Sequence, residues 1–209
     1  MAAQINTISP SASAECRVSY QQFLELDDER HVEWVDGRII EMAPVTDQHA
    51  LVKGFAHSIL RAFVEYHKLG VVLDEPFQMK TGPDLPGRSP DSFFLSNANM
   101  GRQKHLCLEG PADLVVEVIS PGSARTDRVH KFQEYQVGGV LEYWILDPDK
   151  QSADFFLRDD AGKFRPQVLD AAGVYRSRTL TGLWVRPEWF RKKPMPSMFE
   201  VLREWGIIR

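Results

Sequence analysis

The sequence holds only two cysteines, Cys16 and Cys107, far apart and without CxxC spacing. That excludes a disulfide framework and offers no zinc signature. No run approaches the ~18 consecutive apolar residues that a membrane-crossing helix needs, so no span is expected. The opening MAAQINTISPSASAEC lacks the basic start and apolar stretch of a secretory signal. A reducing, cytoplasmic setting is therefore the expectation. Positive charge is not in excess either. Lys+Arg number 25 against 29 Asp+Glu, a formal charge of −4. A constitutive, sequence-blind DNA coat needs a basic surface overall, so the charge argues against that class. It does not exclude an enzyme that meets phosphates through a local patch and a metal. Neither GxGxxG after a strand, GxxxxGK[ST] nor GxSxG occurs, which leaves nucleotide cradling and hydrolase-elbow chemistry without support.

What is present suits one globular domain. The 209 residues are 43% hydrophobic and 26% charged, enough to bury a core without staples. Residues 1–17 read as a flexible arm, and residues 18–209 as a single domain. Ser19 and Gln22 have capping-box spacing and start a short helix to about Asp28, burying Phe23 and Leu26. Asp36-Gly37 between β-rich runs is a hairpin turn. A long helix over residues 48–69 follows, capped by Asp47 and ended by Gly70. Its apolar repeat is Leu51, Phe55, Ile59 and Phe63, with Val52, Ala56, Leu60 and Val64 alongside. Strand-like runs cover residues 71–79, 92–95, 114–119 and 141–146. Gly/Pro-rich and basic loops occupy residues 81–89 and 97–111. Residues 127–137 form a helix between the third and fourth strands, a βαβ crossover that implies a parallel pair. A small all-β tail and a helix over residues 197–205 complete the chain.

The chemistry-bearing residues start with two strand acids. Asp91 opens one strand. Glu117 interrupts the apolar run Leu114-Val115-Val116-Glu117-Val118-Ile119, where an ionised carboxylate is expensive unless paired or metal-bound. Converging acids can hold Mg²⁺ or Mn²⁺ through oxygen; a salt bridge or a strand-edge position would explain Glu117 equally well. Lys131 flanks the face of the crossover helix that carries Phe132 and Tyr135. It can serve the two acids or form a surface pair with Asp127 at i,i+4. Glu33, before the hairpin turn, reads alone as an ordinary strand acid. His49, Lys53 and His57 recur every fourth residue on the long helix. They lack the glutamate of a zinc-protease helix and read as a solvated face, with His49 nearest the Glu33 hairpin. Late in the chain, Trp184, Trp189 and Phe190 alternate with Arg186, Arg191, Lys192 and Lys193. These are either a stacking and phosphate-binding surface or core with a charged rim. Exposed tryptophans there would also suit a dimer interface.

The order Arg88-Ser89-Pro90-Asp91, then residues 111–121 around Glu117, then Asp127-Arg128 with Lys131 and Tyr135, then residues 142–148 is distinctive. It resembles the Uma-two family of restriction-endonuclease-like proteins, within the PD-(D/E)XK nuclease superfamily, from about Tyr20 to Phe190. The resemblance implies an α/β (α+β) restriction-endonuclease-like core in αβββαβ order. A mixed central sheet is flanked by helices, with the β tail as an addition. It implies a metal-dependent endonuclease acting on DNA. Asp91 and Glu117, with the Val118 carbonyl, would bind Mg²⁺ (or Mn²⁺). Lys131 would serve the attacking water, and Glu33 would supply a further acid. The superfamily lysine two residues after the second acid is replaced here by Ile119, so Lys131 stands in from the following helix. His49, Arg88, Tyr135 and Ser120 are expected to contact substrate. A homodimer matches the two-fold symmetry of duplex DNA. The alternative is a non-cleaving nucleic-acid-binding or regulatory module on the same fold.

Overall fold

The computed structural model describes residues 17–26 and 31–209. Most of the expected arm, with Cys16, and the expected helix end at Asp28 lie outside the described residues. Helix α1 (Tyr20–Leu24) begins with the expected capping box, the Ser19 hydroxyl accepting from the Gln22 amide. Strands β1 (Val32–Val35) and β2 (Arg38–Glu41) form the hairpin, with Asp36 and Gly37 both at positive φ. Helix α2 (Asp47–His67) follows. Then come β3 (Gly70–Leu73), β4 (Gln78–Lys80), β5 (Gly87–Arg88), β6 (Ser92–Ser96), β7 (Cys107–Glu109) and β8 (Leu114–Val118). A π-helix (Thr126–Lys131) runs into α3 (Phe132–Gly138), and β9 (Glu142–Asp147), β10 (Ser152–Arg158) and β11 (Phe164–Pro166) follow. Two short strands, β12 (Tyr175–Arg176) and β13 (Trp184–Val185), precede the last helix, α4 (Met198–Glu204).

The central sheet runs β11-β10-β9-β8-β6-β3. Strands β8 and β9 are parallel across the helical crossover, and the other neighbours are antiparallel. Alternation along β8 splits the core in two. Leu114, Val116 and Val118 face the α2 side, packed with Ile59, Phe63 and Trp144. Val115 and Ile119 join Tyr135, Tyr143 and Phe93 on the α3 side. Glu117, between Val115 and Ile119 in that alternation, shares the α3 side.

A second sheet, β2-β1-β5-β4-β7, joins the hairpin and β4 to two strands, β5 and β7, from segments expected to be loops. The run expected over residues 71–79 divides in two: β3 joins the central sheet and β4 the second. The latter places Glu33 and Arg88 on adjoining strands, because β1 pairs with β5.

Several expectations are corrected. The cap of α2 is Thr46, whose hydroxyl accepts from the His49 amide; Asp47 sits in the first turn, where a negative charge suits the helix dipole. Lys68, not Gly70, takes the left-handed position after the helix. Gly70 is required for another reason: a Cβ there would lie 2.0 Å from the Leu95 carbonyl oxygen. Leu51 is exposed because it is one position off the Val52–Ala56–Ile59–Phe63 stripe, and Leu26 is exposed because α1 ends at Leu24. Most of the expected β tail is not separate, since β10 and β11 extend the central sheet. Trp189 is buried, and Trp184 and Trp205 are partly buried against the core, which matches the reading of these aromatics as core with a charged rim.

Candidate active site

Elements distant in sequence bring the site together. Glu33 comes from β1, Asp91 from the residue before β6, Glu117 from β8 and Lys131 from the π-helix. A π-turn is uncommon and often marks a functional site. Here it buries both Asp127 and Lys131, and the Tyr143 hydroxyl anchors it by donating to the Asp127 carbonyl at 3.0 Å.

Lys131 is the hub. Its Nζ lies 3.0 Å from Glu117 Oε2 and 3.4 Å from both Glu33 Oε1 and Asp127 Oδ1. Lys131 and Asp127 are both 2% exposed, so the surface-pair reading does not hold. Tyr135 donates its hydroxyl to Glu117 Oε1 at 2.7 Å. Asp91 Oδ2 accepts the Val118 amide at 2.7 Å and lies 3.5 Å from His49 Nε2. Arg88 is 5% exposed. It donates to Glu33 Oε2 at 2.8 Å and bidentately to Glu134, both contacts at 2.7 Å. The Ser89 amide completes the hold on Glu33.

The expected site residues thus fall into groups. Glu33, Asp91, Glu117 and Lys131 are neighbours. Arg88 and Tyr135 are buried against carboxylates of the site, and His49 lies against Asp91. Ser120 stands just past β8, its amide donating to Ser123 Oγ. The sequence reading missed Asp127 and Glu134 as members. Asp127 did carry a signal, since four residues before Lys131 on one helix face means a shared location.

Electrostatics follow from the inventory. Five carboxyls, Glu33, Asp91, Glu117, Asp127 and Glu134, face two permanent cations, Lys131 and Arg88. Burial opposes charge on Lys131, but Glu117, Glu33, Asp127 and Asp91 outweigh it and hold the ammonium protonated well above the ordinary lysine range. Burial raises the proton affinity of Glu117; Asp127, Asp91 and Glu33 add to it, with Lys131 opposing. Asp127 is also raised, chiefly by burial. Glu33 goes the other way, because Lys131 and Arg88 outweigh its burial. On His49, burial is outweighed by Asp91, with Glu75 and the Val118 carbonyl assisting, so its affinity rises.

This surplus of negative charge is what a divalent cation would relieve. The expected ligands, Asp91, Glu117 and the Val118 carbonyl, are all oxygens. Among the described residues, no group of three or more His, Cys, Asp or Glu side chains forms a metal cage. A pair of carboxylates completed by substrate and water is the manner in which Mg²⁺ is usually held, so the residues fit that ion.

A mixed sheet flanked by helices, with acids on adjacent strands, is the restriction-endonuclease-like nuclease fold. Residues 20–188 match the model of the Uma2 family, described as "Putative restriction endonuclease", and the chain belongs to that family. A solved structure of the same fold is that of "a putative nuclease belonging to DUF820" from Anabaena variabilis. The two superpose with a TM-score of 0.65 at 17% identity, over 82% of this chain and 96% of that one. No curated protein matches the chain.

Proposed function

We propose that the protein is a metal-dependent endonuclease that hydrolyses phosphodiester bonds in DNA. The observation that carries this reading is the meeting of Asp91, Glu117 and Lys131. A lysine from the crossover helix reaches the second acid at 3.0 Å, supplying in space the cation that Ile119 cannot supply in sequence. Asp91, Glu117 and the Val118 carbonyl would hold Mg²⁺ (or Mn²⁺). Bound there, the ion supplies Lewis-acid polarisation of the phosphoryl oxygen and a more acidic water.

The chain's own residues do the rest. Lys131, surrounded by carboxylates, acts as a fixed positive charge beside the reacting phosphate rather than as a base. Glu33 and Asp127 fix its ammonium from two further sides. Tyr135 orients Glu117, and the Val118 amide orients Asp91. His49 and Ser120, at the edge of the acid pair, contact the substrate. A two-fold homodimer would place one such site on each strand of a duplex. No helix among the described residues is long and apolar enough to cross a membrane.

One observation favours the second reading, a non-cleaving nucleic-acid-binding module: the Lys131 ammonium already lies within 3.4 Å of three carboxylates. Mn²⁺ titration by calorimetry into wild type and Glu117→Gln separates the two, together with plasmid nicking in Mg²⁺ by wild type and Asp91→Asn. Saturable binding lost in Glu117→Gln and nicking lost in Asp91→Asn are expected. Salt-sensitive DNA binding by a folded protein that neither binds the ion nor nicks would establish the second reading.

A further inference from the structure

The basic stripe on α2 is not a solvated face. His49 meets Asp91, Lys53 pairs with Glu75, and His57 Nδ1 lies 3.1 Å from the Ser92 hydroxyl. Glu75, between β3 and β4, carries a second cation partner: His31 Nε2 lies 3.0 Å from its Oε2. Two basic side chains from different elements, α2 and the segment entering β1, therefore share one carboxylate. Their side chains are 18% exposed for Lys53 and 36% for His31, and His31 Nε2 itself is covered where it faces Glu75.

Position gives this cluster its meaning. Lys53 follows His49 by four residues, one turn along the same helix face and roughly 6 Å along the axis. Glu75 acts electrostatically on His49, and Glu33 on His31, so the cluster adjoins the acid pair. A surplus of carboxylate at the cutting centre lies beside a surplus of base on its rim. With the scissile phosphate at the acid pair, the neighbouring phosphate of the strand would meet the second. The Lys53 and Glu75 side chains are 18% and 21% exposed, so the pair also contributes to the fold, but that role does not require a second base on the same carboxylate beside the acid pair.

We propose that Lys53 and His31 form a subsite for a phosphate of the bound nucleic-acid strand adjoining the scissile one, with Glu75 holding both in place. This rests on the nuclease reading. It makes a prediction of opposite sign for two partners of one ion pair. Removing Lys53 weakens nucleic-acid binding; removing the charge of Glu75 releases both bases and strengthens it.

The test is fluorescence-anisotropy binding of a labelled mixed-sequence duplex in EDTA, where cleavage is silent, over a series of salt concentrations. Lys53→Met should weaken binding about tenfold, and its log–log salt slope should fall by about 0.9. His31→Gln should weaken binding less. Glu75→Gln should tighten it several-fold although it removes a native ion pair. Lys53→Met and Glu75→Gln shifting binding in the same direction, or leaving it unchanged with normal urea melts, would overturn the subsite. If wild type still nicks DNA in Mg²⁺ in that case, the nuclease reading survives alone. If wild type neither binds nor nicks, both fall. Should Lys53→Met fail to fold, His31→Gln against Glu75→Gln carries the same opposite-sign comparison.

Discussion

Replacing Lys131 with Met and Glu117 with Gln should move stability in opposite directions. Met fills nearly the volume of the lysine stem but withdraws the one ammonium within 3.4 Å of Glu117, Glu33 and Asp127. Removing one partner of a buried ion pair costs about 3–5 kcal/mol, because the remaining charge is left without compensation. Arg88 cannot substitute, since Glu134 already takes two of its donors. Uptake of a proton by Glu117, whose affinity is already raised, recovers part of the loss. For a chain of this length, 1 kcal/mol corresponds to roughly 2–4 °C in Tm. Lys131→Met should therefore melt at least ~6 °C below wild type. Glu117→Gln removes a carboxylate from a centre with too many, and its amide oxygen still accepts from Lys131 or Tyr135. It should melt level with wild type or about 2–4 °C above it. The assay is differential scanning calorimetry at neutral pH with EDTA, so that bound metal does not mask the repulsion. A Lys131→Met protein as stable as wild type, or a Glu117→Gln protein that loses more than ~2 kcal/mol, would refute the charge inventory of the site.

Two further tests address the frame around the site. Burial pulls the Glu75 carboxyl upward, but His31 and Lys53 outweigh it and hold it down at about 2. A carboxyl below its unfolded value of ~4.3 stabilises the fold above that pH and loses the contribution as pH falls toward 2. Urea midpoints of Glu75→Gln should accordingly fall less steeply than those of wild type between about pH 5 and 2. Buried Glu142 accepts from Trp144 Nε1, Ser177 Oγ and the amides of Arg178 and Thr179. Glu142→Ala should cost at least ~3 kcal/mol by leaving these donors unpaired, and deuterium exchange at the Arg178 and Thr179 amides should accelerate.

Several local signals in the sequence match the structure, although the caps of α2 fall at Thr46 and Lys68 rather than at Asp47 and Gly70. The Asp36-Gly37 turn, the Ser19 capping box and the apolar run into β8 each carry their cause within a few residues. The parallel β8–β9 pair followed from the helix between them. What stayed hidden is non-local. Strands β5 and β7 are two or three residues long inside segments rich in Gly, Pro and charge, and they become strands only by pairing with β1 and β4. β7, for example, runs parallel to β4 in the register Gln78 with Cys107. The late aromatics left two readings open in the sequence, a stacking surface or core with a charged rim, and burial of Trp189 and Phe190 with Trp184 half-buried against the core matches the second.

The hidden second sheet also decides the chemistry. Glu33 looks like an ordinary strand acid until β5 lays Arg88 against β1, and Arg88 looks like a phosphate ligand until its guanidinium is found between Glu33 and Glu134. Its bidentate grip ties β1 to α3, and α3 continues directly from the π-helix that carries Lys131. The second sheet thus fixes Glu33 against the crossover helix, and Glu33 in turn bears on Lys131. A lysine reaching from a helix must be held from several sides, and Glu33, Asp127 and Glu117 provide those sides for Lys131, so the acid of β1 and the buried ammonium are two parts of one arrangement.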